Sequence, residues 1–278
     1  MNFPRYWAQG VDGGFRCWRW SDRSMEEAQS LAGAAVASLR ARFPDNWPPP
    51  PGYGYADRPL REPVLREVRD AAGEVAAVIS RNAYGCQILN AASAMFVDVD
   101  LPDQPEKKPG GLLASLFSSK TSAVASPLDA AIARAENWAR NHPGWNWRAY
   151  RTRAGLRLLA THRTFSPSDP QCQEVFDAVG ADFLYRRLCA VQECFRARLT
   201  PKPWRCGVSA PRSQWPFADP AAERLFQSWE AGYRTACQGK ATCRRLRDLG
   251  SGEFHPSIEP LVTLHDEATM ASFDLPLA

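Results

Sequence analysis

Long hydrophobic runs are missing from this chain: no apolar stretch approaches the roughly 20 residues that span a bilayer. The opening MNFPRYWAQG has none of the charged-then-apolar pattern of a secretion signal. A cytoplasmic protein with no membrane partner is therefore expected. Missing too is any C-x-x-C spacing among the eight cysteines, Cys17, Cys86, Cys172, Cys189, Cys194, Cys206, Cys237 and Cys243, so free thiols are expected. A zinc set drawn from Cys237, Cys243, His255 and His265 would fit no standard knuckle. The chain has no Walker loop, G-x-G-x-x-G, G-x-S-x-G or H-E-x-x-H, which removes support for P-loop hydrolysis, Rossmann, esterase and zincin chemistry.

What is present is globular in character. Of 278 residues, 45% are hydrophobic and 23% charged, close to the average that supports a packed core, and ten tryptophans exceed it. The net charge of +4 is too small to indicate nucleic-acid binding by itself, but it is unevenly spread. Between Trp147 and Arg205 stand eleven Lys or Arg against five acids, a local balance of 11 − 5 = +6. Ten of those eleven are arginine, whose planar fork suits phosphate.

The spacing of apolar residues predicts a series of elements. Gly14–Trp20 alternates like a half-buried strand, and Ser24, with Glu27 three residues on, caps a helix running to Phe43. The prolines from Pro48 to Pro51 form an extended connector. Val75–Ser80, Cys86–Leu89 and Ala94–Leu101 are separated by turn signals and suggest an antiparallel meander. Residues 102–126, rich in Pro, Gly, Ser and Lys, read as a mobile excursion whose LLASLF fragment could dock on a protein partner. A helix from Ser126 to Asn141, a hairpin of Trp147–Thr152 and Gly155–Thr161, a helix over Asp182–Cys194 and a strand over Phe195–Thr200 follow. Pro220–Cys237 adds a further helix.

In order, residues 94–205 give strand, helix, strand, strand, helix, strand. This predicts an α+β protein whose core is a ferredoxin-like, or RRM-like, βαββαβ palm: one four-stranded antiparallel sheet with an open face for a ligand. The expected organisation is an N-terminal extension over 1–56, the core over 57–205 and a helical and loop segment over 206–278.

The most specific feature is Met95-Phe-Val-Asp-Val-Asp-Leu101. Residues two apart on a strand point the same way, about 7 Å apart, so Asp98 and Asp100 leave one face while Val97 and Val99 turn to the core. Two carboxylates that close favour a cation between them, and Mg²⁺ or Mn²⁺ prefers such oxygen ligands. In the hairpin, Arg157, Leu159 and Thr161 share a face. Arg157 is expected to clamp phosphate, with Gly155 allowing a phosphate close approach and His162 binding phosphate or moving a proton.

Hydrophobic-Asp-hydrophobic-Asp on a strand, then a helix, then a strand pair containing Ala160-Thr161-His162 resembles the archaeo-eukaryotic primase, or primase-polymerase, superfamily. Thr152-x-x-Gly155-x-Arg157 is similar to the element by which some divergent members handle the incoming nucleotide. The resemblance, over about residues 94–205, implies nucleotidyl transfer from a nucleoside triphosphate with divalent ions, on DNA or RNA. It places Asp98, Asp100 and His162 in catalysis, with Asp98 and Asp100 holding the metal. That family usually has a third acid on the last palm strand, whereas Phe195–Arg205 is basic throughout, and Asp266 is a distant substitute. Arg196, Arg198, Lys202 and Arg205 suit a phosphate backbone instead. A non-catalytic nucleic-acid-binding module and a partner-docking protein are therefore the alternatives to a transferase.

Overall fold

The structure is a computed structural model that describes residues 1–43, 59–102 and 126–278. The proline-rich connector and the expected excursion with its LLASLF fragment lie outside the described residues, apart from the excursion's first and last residues. Among the described residues the chain forms six helices and three antiparallel sheets, a mixed α+β architecture. No helix among them is long and apolar enough to cross a membrane.

The N-terminal piece is a hairpin of β1 (Tyr6–Asp12) and β2 (Phe15–Ser21) with α1 (Met25–Arg42) laid across it. Ser24 accepts the Glu27 amide and caps the helix, as its sequence predicts. Gly10 lets the strand meet the helix, because a Cβ there would stand 2.3 Å from the Ala32 carbonyl oxygen.

Two four-stranded sheets make up the rest. One runs β3 (Val64–Arg69), β4 (Val75–Arg81), β5 (Gln87–Ala91), β9 (Phe195–Arg198). The other runs β10 (Cys243–Leu249), β7 (Trp147–Thr152), β8 (Gly155–Ala160), β6 (Phe96–Asp100). Residues of both sheets, Leu89 and Leu158 among them, belong to one continuous hydrophobic core. Helix α2 (Pro127–Asn141) lies against β7 and β8, burying Ala131, Ile132, Ala135 and Trp138. Beyond β8 come α3 (Pro170–Val179), α4 (Phe183–Gln192), α5 (Pro220–Ala236) and α6 (Glu259–Thr269).

This arrangement departs from the expected palm in four ways. The β6-β8-β7 order is that of a split-βαβ sheet, but the strand that should complete it, β9, is hydrogen-bonded to β5 instead, from Ile88↔Arg198 to Ala91↔Phe195. Polar contacts hold β9 there: Arg196 donates to both Glu62 oxygens at 2.8 and 3.1 Å and to Asn90 of β5, a buried set. The 206–278 segment, expected as helix and loop, contributes β10 as an edge strand and α6 to the core. The sheet face expected to be open is covered by α6, whose buried His265 lies over Phe96, Tyr150 and Arg157. The expected meander also divides: β4 and β5 pair, while β6 joins the other sheet.

Candidate functional site: a groove between the two sheets

Because β9 peels away from β6 without a ladder, the two strands become the walls of a groove of about 640 Å³. Its lining includes Asp98 and Asp100 from β6, Arg198 and Lys202 from the end of β9, Asp182 and Arg187 at the start of α4, and Tyr84 from the β4–β5 turn.

Asp98 and Asp100 leave β6 on the groove side while Val97 and Val99 are buried, as the alternation predicts. A third acid joins them from an unexpected place. Asp182 caps α4, accepting the Tyr185 amide at 2.8 Å, and its own backbone N–H donates to the Asp98 carbonyl at 3.0 Å. The three carboxylates sense one another: burial first, then Asp182 and Asp98, raise the Asp100 pKa above the usual carboxylate value. Asp266, the sequence-level candidate for a third acid, is not a groove residue; on the same sheet face but within α6, it accepts hydrogen bonds from Tyr150 at 2.6 Å and Arg148 at 3.0 Å.

The opposite wall, with Arg205 beside it but outside the lining, concentrates cations. Burial and then neighbouring positive charge lower the pKa of Arg198 (beside Arg157), Lys202 (beside Arg198 and Arg205) and Arg205 (beside Arg198 and Arg153). Among the described residues Arg198, Lys202 and Arg205 form no ion pair, and the Nε of Arg198 is buried without a hydrogen-bond partner. Asp98 and Asp100 offset these like charges only in part, so their repulsion raises the free energy of the free protein, and an anion bound between them relieves it. At the rim, Tyr84 and Trp204 meet edge to face at 5.3 Å, both nearly half exposed, with the Lys202 ammonium 5.5 Å from the Trp204 ring.

Other sequence candidates fall elsewhere. Arg157 is not an exposed phosphate clamp: it is 1% exposed, and its guanidinium donates to both Asp98 oxygens at 2.7 and 3.1 Å and to the Arg198 carbonyl at 3.0 Å. Gly155 is likewise committed to packing rather than to phosphate, since a Cβ there would stand 2.0 Å from the Val99 carbonyl oxygen of β6. Arg196 does line the groove, but its guanidinium is committed to the buried Glu62 pair, whereas Thr152, ending β7 opposite Cys243, is outside the groove lining. His162 is remote from the acids. β6 and β8 are antiparallel with Asp98 opposite Arg157, so His162, five residues further on, stands roughly 15 Å away. There its Nδ1 accepts the Asn146 amide, its ring packs on Trp145, and burial lowers its pKa.

No protein family, curated protein or solved structure matches the chain. The site must therefore be judged on its own chemistry. Among the described residues no three or more His, Cys, Asp and Glu side chains are arranged to hold a metal ion by themselves. That is compatible with Mg²⁺, which commonly takes one or two carboxylates and completes its octahedron with water and substrate phosphates. Asp98 and Asp100 supply two such carboxylates. Asp98 keeps lone pairs for a cation because Arg157 takes one hydrogen bond per oxygen and the side chain is 31% exposed. Sequence reasoning had no means of finding Asp182, because only the α4–β6 contact makes it a neighbour of Asp98.

Proposed function

We propose that the groove is the active site of a metal-dependent nucleotidyl- or phosphoryl-transfer enzyme, a divergent relative of the primase-polymerase palm acting on a nucleoside triphosphate and DNA or RNA. Asp98 and Asp100 would hold Mg²⁺ or Mn²⁺, and Arg198, Lys202 and Arg205 would receive phosphate. One observation carries the reading: an acidic wall and a basic wall whose cations form no ion pair face each other across a single groove. A divalent ion bound there would neutralise phosphate charge and polarise the transferred phosphoryl group. The exposed Tyr84–Trp204 pair beside the cations is suited to stacking a base. His162, remote from the groove, is given no role.

The ion pair between Arg157 and Asp98 favours a second reading, a nucleic-acid-binding module without catalysis, because a buried guanidinium already neutralises the acid a metal would use. Thermal unfolding in millimolar Mn²⁺, with and without nucleoside triphosphate, separates the two. The enzyme reading expects Tm to rise for the native protein and not for Asp100→Asn, with labelled nucleotide incorporated on single-stranded DNA or RNA. No metal-dependent shift, together with salt-sensitive oligonucleotide binding, would leave the binding module.

A further inference from the structure

Most of the chain's thiols are sequestered: Cys86, Cys172, Cys189, Cys194 and Cys243 are buried, while Cys17, Cys206 and Cys237 are partly exposed. Two of the accessible three meet. Cys206 ends the 3-10 turn Pro203–Cys206, Cys237 caps the C-terminus of α5, and their sulfurs lie 3.7 Å apart, in van der Waals contact. We propose that Cys206 and Cys237 are a modification site that forms a reversible intramolecular disulfide when a hydroperoxide is present.

The geometry favours this pair over every other combination of partly exposed thiols. A disulfide needs sulfurs about 2.05 Å apart. The remaining approach of under 2 Å falls on two element ends, where side-chain rotation and small backbone shifts are easiest. The elements are already aligned, because the Tyr233 hydroxyl of α5 donates to the Pro201 carbonyl and accepts, at 2.9 Å, from Thr200 Oγ1, immediately before the turn. The cysteines are 31 residues apart in sequence, so the bond would close a substantial loop of the unfolded chain.

The chemistry divides the roles. Burial, and then the hydrogen bond and charge of Cys206, push the Cys237 thiol up to about 12, which disfavours Cys237 as the attacking thiolate, and the first step is assigned to Cys206. The Cys206 thiolate attacks one peroxide oxygen; an S–O bond forms, the O–O bond breaks, and the leaving alkoxide or hydroxide takes a proton. Cys237 sulfur then attacks the Cys206 sulfenic acid. The S–S bond forms as the S–O bond breaks, and the hydroxyl group leaves as water with the Cys237 proton. In sum, two thiols lose two electrons and two protons, and one hydroperoxide becomes an alcohol (or water) and water. The bond would tie the turn bearing Lys202, Trp204 and Arg205 to α5, and its formation does not depend on what the groove binds.

The test is peptide mapping of the full chain after brief treatment with hydrogen peroxide, alkylation of remaining thiols and non-reducing trypsin digestion. The expected product joins Cys206–Arg212 to Thr235–Lys240. It should carry two hydrogens fewer than the separate peptides and revert with dithiothreitol. Tm should rise by on the order of 5 °C on oxidation, and Cys206→Ser or Cys237→Ser should abolish both effects. In Cys237→Ser, dimedone should label Cys206. Full alkylation of both cysteines after peroxide, pairing of either with Cys86, or a linked peptide formed only in urea would overturn the proposal.

Discussion

Arg157 donates from Nε and Nη2 to the two carboxylate oxygens of Asp98, its direct partner across the β6–β8 ladder, at 2.7 and 3.1 Å. Its third nitrogen, Nη1, reaches both the Arg198 carbonyl and His265 Nε2, at 3.0 and 3.3 Å. To accept that bond His265 must carry its proton on Nδ1, where it faces Asp266 at 3.1 Å. Burial opposes the Arg157 charge, yet Asp98 outweighs it and raises the pKa.

Asp98→Asn should therefore cost on the order of 3 kcal/mol in urea unfolding, because it leaves a buried guanidinium beside a neutral group. Arg157→Met in the same chain should return part of that loss, since the uncompensated charge is then gone. A double-mutant cycle measures the coupling. Strict additivity of the two substitutions would mean the pair is not coupled.

Asp100 should behave in the opposite sense. Its folded pKa is raised by burial, Asp182 and Asp98, so folding favours its protonated form. The associated stability is fully present below the unfolded value near pH 4 and lost as pH rises through the folded one. Asp100→Asn should then raise Tm at pH 7, and not at pH 3. Because Asp100 remains solvent-accessible despite its partial burial in the groove, solvent keeps the rise to on the order of a degree, shrinking further with salt.

How much of this was legible in the sequence depends on the range of the interaction involved. The direction of Asp98 and Asp100 follows from a two-residue period and a buried Val97 and Val99. The caps at Ser24 and Ser126 and the β7–β8 hairpin are equally local. Partnerships across the fold were not legible. Arg157 and Arg198 look alike in sequence, but one is neutralised by Asp98 and the other has a buried Nε without a partner. The place of β9 in the second sheet brings Arg196 to Glu62, 134 residues away. Strand β10, Cys243–Leu249, carries three arginines and an aspartate and so lacks the apolar alternation of a half-buried strand.

Two histidines set a pH window. Burial, and for His265 the adjacent Arg157, lower the pKa of His265 and His162, so both fold neutral. His265 is enclosed by Arg157 of β8, Tyr150 of β7, Cys243 of β10, Phe96 of β6 and its neighbour Asp266. A base with a depressed folded pKa gives stability that is present above the unfolded value, near 6.5, and lost as pH falls below it. Unfolding free energy should decline from about pH 6.5 downward, by at most ~1.4 kcal/mol per pH unit for each group. His265→Gln, which keeps an acceptor for Arg157, should flatten part of that slope. Asp266, whose pKa is lowered by His265, Tyr150 and Arg148 against its burial, titrates in a separate window below pH 4.

The basic residues around β9 should sort into two classes. Arg196 is buried, and Glu62 raises its pKa against desolvation, so Arg196→Met should cost about 3–5 kcal/mol by stranding the Glu62 carboxylate. It should not change the salt dependence of oligonucleotide binding measured well below the melting temperature. Lys202 has a depressed pKa among Arg198 and Arg205, so Lys202→Ala removes a repulsion and should leave stability unchanged or slightly higher. If the groove holds a phosphate backbone, that same substitution should flatten the slope of log K against log salt by about one. The two readouts are independent, because one follows a buried pair on β9 and the other a cation on the groove wall. A loss of stability in Lys202→Ala as large as in Arg196→Met would contradict the assignment of Lys202 to ligand binding.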